Sequence, residues 1–285
     1  MTAFAVVAHR VTPTNTRLGL VLTPAQALVR LRPGDVALGR LDVLETLDGV
    51  EAGLWALERL SAAGVLVRNA RATLVAAHDK LATARALEAA GVPHPRTVHI
   101  APWFPSPRLA APLVLKPRFG SWGRDVVRCD DQLSLRRSLA ALARRPWYEA
   151  TGAIAQELIP SQGHDLRLVV ARGRVIGAVR RVAPQGEWRT NVALGARREP
   201  VTPPRAASEI ALAAAAAIDG DLVGVDLLPD GRGSWIVLEL NGAVDFTNAY
   251  SLGDDVYSAA VERLGIVEEA APGLSAEAAG LDVLA

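Results

Sequence analysis

The densest chemistry in this sequence lies in GVDLLPDGRGSWIVLELN, residues 224–241. Glu239 and Asn241 stand two apart in an apolar run, so on a strand their side chains share a face. Pro-Asp-Gly-Arg-Gly interrupts the run, and a turn centred near Arg232 sets Asp226 directly opposite Glu239. Two facing carboxylates repel, and on one sheet face they need a cation or one must keep its proton. Asp226, Glu239 and Asn241 together offer hard oxygen donors of the kind Mg²⁺ takes beside water and phosphate. The alternative is a solvated strand face bearing ordinary acids. The flanking runs Val223–Leu228 and Ile236–Leu240 favour a buried sheet, where uncompensated acids are costly.

Lysine is the second signal. Of 31 basic residues only Lys80 and Lys116 are lysine, the rest being arginine. GC-rich coding accounts for the arginine excess, so a position that still holds lysine could require a compact, mobile ammonium. Lys116 ends an apolar strand just before Phe119-Gly120-Ser121-Trp122-Gly123. A lysine beside a glycine-bearing turn can clamp phosphate, since backbone N–H groups approach closely where side chains are absent; a lysine snorkelling from a strand end is the alternative. Lys80, taken alone, reads as an ordinary first-turn surface lysine after the helix-capping Asp79. In the middle of the chain, Gln156-Glu157-Leu158-Ile159 passes from polar to apolar and could offer backbone groups to a flat heterocycle. His164-Asp165-Leu166-Arg167 alternates and puts Asp165 and Arg167 on one strand face. Arg180-Arg181 and Arg189-Thr190-Asn191 add cations and an amide, and arginine forks suit phosphate and carboxylate. Arg172 and Arg174 read as a solvated hairpin face, and His164 as a turn residue rather than a metal ligand.

The elements that must carry these groups fall into two styles. Strands at Ala3–Ala8, Asp35–Leu41 and Val65–Val67 alternate with helices from the Thr23-Pro24 cap to about Arg32 and over Val50–Ala63, the latter closed by Gly64. This rhythm predicts a small parallel sheet. Asp79 caps a helix through Ala90, and the proline-rich segment 92–112 is a connection with one strand at Arg96–Ile100. Then come strands at Leu113–Pro117, Val126–Cys129 and Ile154–Ile159, with a helix from Asp130/Asp131 to Ala143 between the last two. A hairpin follows, Leu166–Ala171 and Val175–Arg181 about Arg172-Gly173-Arg174. A helix over about 205–218, strands Leu222–Leu228 and Trp235–Asn241, and a helix from Asp254 to about Leu264 complete the series. The alanine-rich tail after Pro272 reads as loose. The expected fold is α/β continuing into α+β, a parallel-sheet N-terminal domain followed by a two-lobed remainder.

Composition narrows the class. With 50% hydrophobic and 21% charged residues, 285 residues support a large core of two or three lobes. A net charge of +1, evenly dispersed, lacks the basic footprint of a nucleic-acid binder. One cysteine, Cys129, allows no internal disulfide and points to a reducing compartment, hence a cytoplasmic setting. The start MTAFAVVAHR reads as a strand rather than a signal peptide, and the apolar stretch 210–218 is too short to span a bilayer.

In this order the pieces resemble the ATP-grasp carboxylate–amine ligases, and among them the amino-acid and peptide ligases of the RimK and LysX type. The resemblance runs from Asp35 to about Leu264 and rests on HDKLATARALEAAGVPHPRT (78–97), VLKPRFGSWGRDV (114–126), QELI (156–159), DLRLVV (165–170), RTNVALGA (189–196) and GVDLL…LELN (224–241). It implies an ATP-grasp fold of an N-terminal domain (1–78), a central lobe (79–155) and a C-terminal lobe with the metal site (156–285). It also implies ATP and Mg²⁺ or Mn²⁺ as cofactors. By position, Lys80 and Lys116 would contact nucleotide, and the turn carrying Gly120 and Ser121 would cover the phosphates. Gln156, Glu157, Leu158 and Ile159 would read adenine, while Asp165, Thr190 and Asn191 would lie by ribose or phosphates. Arg181 and Arg189 would flank the transferring phosphoryl group with Lys116, and Asp226, Glu239 and Asn241 would hold the metal. Two departures stand out: the glycine-rich turn carries Trp122, and after Asn241 the chain reads Gly242-Ala243-Val244-Asp245-Phe246-Thr247-Asn248. The latter is similar to the lysine-biosynthesis branch, whose partner is a small acidic carrier protein. Asp245 and Asn248, three apart beside the implied phosphate site, could hold a substrate's ammonium and carboxylate or merely satisfy loop backbone; Arg167 is a further substrate candidate. The implied reaction phosphorylates a carboxylate to an acyl phosphate, which an amine of an amino acid, peptide or carrier protein attacks, releasing ADP and phosphate. A homo-oligomer is implied as well. A nucleotide-binding regulator without turnover is the rival, disfavoured by the complete Asp226/Glu239/Asn241 set.

Overall fold

A computed structural model describes residues 2–103 and 109–265; the tail after Pro272 lies outside the described residues. The chain begins with β1 (Phe4–Val7), α1 (Pro13–Leu18), β2 (Leu20–Leu22), α2 (Pro24–Arg30), β3 (Val36–Gly39), α3 (Leu54–Ala62), β4 (Leu66–Arg68) and α4 (Arg71–His78). The strands form a wholly parallel sheet in the order β2-β1-β3-β4, as the alternating rhythm predicts. Thr23 caps α2 in a reciprocal box with Gln26, and Pro24 supplies the first turn. Three elements here, α1, β2 and α4, lie where the sequence reading placed none.

The helix α5 (Lys80–Ala89), capped by Asp79, leads to the second unit. β5 (Thr97–Ile100), β6 (Leu113–Pro117), β7 (Val127–Cys129), α6 (Gln132–Leu142), α7 (Pro146–Thr151) and β8 (Ala153–Glu157) follow. Their antiparallel sheet runs β5-β8-β6-β7, with Leu135, Leu139, Leu142 and Trp147 packed on one face. Strand β8 continues through Glu157, across the lobe boundary expected at 155.

The third unit is built from β9 (His164–Ala171), β10 (Arg174–Val182), β11 (Arg197–Pro200), α8 (Arg205–Ala216), β12 (Leu222–Pro229), β13 (Trp235–Asn241) and α9 (Val256–Arg263). Its antiparallel sheet runs β11-β10-β9-β12-β13. At the β9–β10 turn, Arg172 and Gly173 both have positive φ, 38° and 76°, the geometry that matches strand twist in a two-residue hairpin. Strand alternation then decides what each face does. Leu166, Leu168, Val170, Val223, Val225 and Leu227 face α8, whose alanines at 207, 211 and 214 let helix and sheet approach closely. The opposite face changes along its length. Val169, Ala171 and Leu222 pack with Val6, Val256 and Tyr257, whereas Asp165, Arg167 and Asp226 stand on the same face nearer the second unit.

Candidate active site

Between the second and third units opens a cleft lined by residues of both. Its walls are apolar at one end (Val114, Val126, Leu228, Leu238, Trp188) and strongly polar at the other (Lys80, Lys116, Arg181, Arg189, Asp226, Glu239). Period-two alternation places much of this. Val114 and Lys116 project from one face of β6, and Asp226 and Leu228 from one face of β12. The apolar wall residues and Ser161 were not foreseen from the sequence. Of these, Val114 and Leu228 carried a signal, the parity they share with Lys116 and Asp226.

β12 and β13 pair with Asp226 facing Glu239, the expected partner, reached through a register shift between Asp226 and Leu227. The expected repulsion does not arise, because each acid has its own cation. Arg167 grips Asp226 through Nε at 2.6 Å and Nη2 at 2.7 Å, and Arg181 Nη2 adds a third bond at 2.8 Å. Glu239 lies 3.4 Å from Lys80 Nζ. Burial pushes the Asp226 carboxyl up, but Arg167 and Arg181 outweigh it and hold it down to about 2. Arg181 also binds both oxygens of Asp165, which accepts from the Thr190 hydroxyl at 2.5 Å. Asp165 is 0% exposed and does not line the cleft; it holds Arg181 and Thr190. Arg167 likewise acts on Asp226 from behind the cleft wall.

The two lysines meet in this cleft. Lys80 is buried, at 9% exposure, which overturns its reading as a surface residue; its Nζ donates to the Gly120 carbonyl at 2.6 Å and so holds the covering turn. Lys116 is 4% exposed. Burial, reinforced by the Lys80 charge, lowers it to about 8. Gly120, Ser121, Trp122 and Gly123 roof the cleft. At Gly123, with φ of 71°, a Cβ would come within 2.9 Å of Asn191 Oδ1, so a side chain there has neither room nor a relaxed backbone. Arg189 reaches the same turn, donating to the Gly123 carbonyl at 3.2 Å while Glu187 holds its other nitrogens. Gln156, Glu157, Leu158 and Ile159 line the far wall beside the apolar end.

The remaining substrate candidates lie elsewhere. Asp245 accepts from Arg40 Nη2 at 3.2 Å and from the Thr12 hydroxyl at 3.0 Å; Asn248 Oδ1 accepts from Arg17 at 2.9 Å. Both tie the 242–250 segment to the N-terminal domain and neither lines the cleft. A larger omission from the sequence reading is Asn69, 0% exposed. Its side chain accepts from Asp221 and Leu222 N–H and donates to the Leu222 and Gly242 carbonyls, joining the β4–α4 loop to the β12 strand start and the β13 strand end.

A cleft between two antiparallel α+β units, with cations beneath a glycine-bearing roof, defines the ATP-grasp class of nucleotide-dependent ligases. The fold superposes on a RimK domain ATP-grasp protein from Sphaerobacter thermophilus (TM-score 0.65, 20% identity, 92% of this chain and 99% of that one). It also superposes on D-alanine–D-alanine ligase from Bacillus anthracis complexed with ATP (0.67, 16%, 93% and 96%). The RimK-like ATP-grasp domain family matches residues 77–262, and the chain belongs to that family. A glutamate–LysW ligase, ArgX, of Sulfurisphaera tokodaii is 28% identical over 219 residues, 75% of this chain and 78% of the relative. The chain is thus an ATP-dependent ligase that activates a carboxylate as an acyl phosphate and joins it to an amine; its kinship is with working ligases, not with a regulator that has lost turnover.

Proposed function

We propose that this ligase joins an acidic amino acid to a peptide or small carrier protein in the cytoplasm. Support for the substrate class comes from the relative named for joining glutamate to LysW. The observation that carries the reading of the site is the charge balance in and behind the cleft wall. Lys80, Lys116, Arg181 and Arg189 line the cleft against Glu157, Asp226 and Glu239, with Arg167 and Asp165 paired behind them. Such a site receives a polyanion more readily than a bare cation. In this reading adenine lies between Val114, Leu228 and Leu238, with the Glu157–Ile159 backbone along its edge. Lys116, Arg181 and Arg189 neutralise the transferring phosphoryl group, and Asn191 and Thr190 steady it.

The donor set fits a magnesium ion only in company. Asp226, Glu239 and the half-buried Asn241, whose buried amide nitrogen has no partner among the described residues, offer hard oxygens, yet Asp226 is already committed to two guanidiniums. These three residues would hold the ion as it arrives with the triphosphate. When bound it would supply charge neutralisation between the phosphates. The protein's own contribution is positioning: Lys80 fixes the roof, Arg167 fixes Asp226, and the carboxylate to be activated approaches an in-line phosphoryl group.

The test is a screen of glutamate, α-aminoadipate and other amino acids against short peptides ending in acidic residues. ATP and Mg²⁺ are present, and products are read by mass and by phosphate release. Amide products confined to acidic amino acids are expected. Products formed only with neutral or basic amino acids would overturn the substrate class.

A further inference from the structure

Trp122 is anomalous. It roofs the cleft, and its φ of 57° places a bulky residue in the left-handed region that a glycine would occupy without strain. Such a conformation persists only where the surroundings hold it. Here the indole ring is flanked by two guanidiniums, with Arg124 at 4.7 Å and Arg10 at 5.9 Å from its centroid. Arg124 belongs to the same turn and reaches the Glu45 carbonyl at 3.4 Å. Arg10 comes from the N-terminal domain, where Asp42 at 2.7 Å and Glu51 at 3.2 Å pin it. The cation is therefore oriented before it meets the ring, which lowers the ordering cost of the contact.

We infer that Arg10, Trp122 and Arg124 form a clasp fastening the roof of the nucleotide cleft to the N-terminal domain, with Trp122 as a positioning residue that governs nucleotide retention. The inference rests on the assignment of the cleft to ATP. Freed of the clasp, the turn is still held from below by Lys80 on the Gly120 carbonyl and Arg189 on the Gly123 carbonyl. Because Arg10 lies outside the two nucleotide-binding units, closure of the roof also requires the N-terminal domain in place.

Stopped-flow release of a fluorescent N-methylanthraniloyl derivative of ADP separates the possibilities. Trp122→Gly keeps the backbone geometry and removes the ring, whereas Arg10→Ala removes the clasp from its other side. Each is expected to speed release by about five- to thirtyfold, the range of one or two cation–π contacts, and to raise KM for ATP more than it lowers kcat. Trp122→Phe should recover most of the retention, and the double variant should be no worse than Trp122→Gly alone. Accelerated release in Trp122→Gly with unchanged release in Arg10→Ala would mean that the indole acts on the nucleotide itself, overturning the clasp. Unchanged release in both would overturn it too. Failure of the wild-type protein to bind the ADP derivative would instead refute the nucleotide assignment. Arg10 is partly exposed, so the Arg10→Ala arm stands even if Trp122→Gly fails to fold.

Discussion

Lys116 shows how surroundings set chemistry at the level of one residue. An ammonium lowered to about 8 is partly deprotonated in the nucleotide-free enzyme at mildly alkaline pH, and bound phosphate must draw the proton back. Titrating ADP at pH 8 in two buffers of different ionisation enthalpy should reveal net proton uptake, and Lys116→Arg should abolish it. The stability of the nucleotide-free protein follows the same linkage. Between about 8 and the ordinary value of 10.5 the unfolded chain holds a proton that the folded chain lacks, so stability from this group rises with pH across that window. Lys116→Arg should also cost more than tenfold in kcat/KM, ~1.4 kcal/mol, because a planar fork cannot replace a compact charge in the space lysine fills. The paired acids should part company. Asp226→Ala leaves Arg167 and Arg181 facing each other without their shared partner and should destabilise by about 3 kcal/mol or more in chemical denaturation. Glu239→Gln, beside a single lysine, should fold normally and lose turnover. The sequence already showed Asp226 opposite Glu239 from the position of the turn near Arg232, but not the register shift between Asp226 and Leu227 through which that pairing is made. The clamp on Asp226 was hidden because Arg167 faces it from the neighbouring β9 and Arg181 from β10 one strand further, pairings between strands far apart in sequence that strand alternation does not encode.

Among the elements, those with an apolar run or a capping residue could be read and those without could not. β6 and β13 begin and end where their apolar runs do, and Asp79 and Asp131 cap α5 and α6 as their position before each helix requires. β2 has three residues and β11 four, two of them arginine, so neither completes a recognisable alternation. α4 follows Ala70, which offers no side-chain cap, and its start is therefore silent. What fixes α4 is Asn69, in the left-handed region at φ 49° and bonded to both β12 and the segment after β13. Asn69→Asp would set a carboxylate against two carbonyls it now donates to. It should lower stability by about 3 kcal/mol. A thermal scan would register this, whereas a surface Asn→Asp exchange such as Asn248→Asp should leave the melting temperature within a degree or two.

For the molecule as a whole, the N-terminal domain reaches the catalytic units through polar ties as well as the shared core around Val6 and Val169. Arg40, 2% exposed, donates to the Val244 carbonyl and Asp245, and Arg17 to Asn248. Asp245→Ala should consequently weaken the seating of the N-terminal domain, seen as faster proteolysis near residue 40, while affinity for ATP stays near wild type. Equal loss of ATP affinity would count against it. This role was invisible in the sequence, since more than two hundred positions separate the partners. A different consequence follows from where the lysines lie. Acyl phosphates acylate amines indiscriminately, and an enzyme that makes them is exposed to its own intermediate whenever one escapes. Both lysine side chains of this chain are inside the cleft, and every other basic residue is an arginine, whose guanidinium stays protonated and does not react. Its outer surface thus offers no lysine amine to the electrophile it generates, and amine-directed acylating reagents applied to the folded protein should find their lysine targets only by entering the active site.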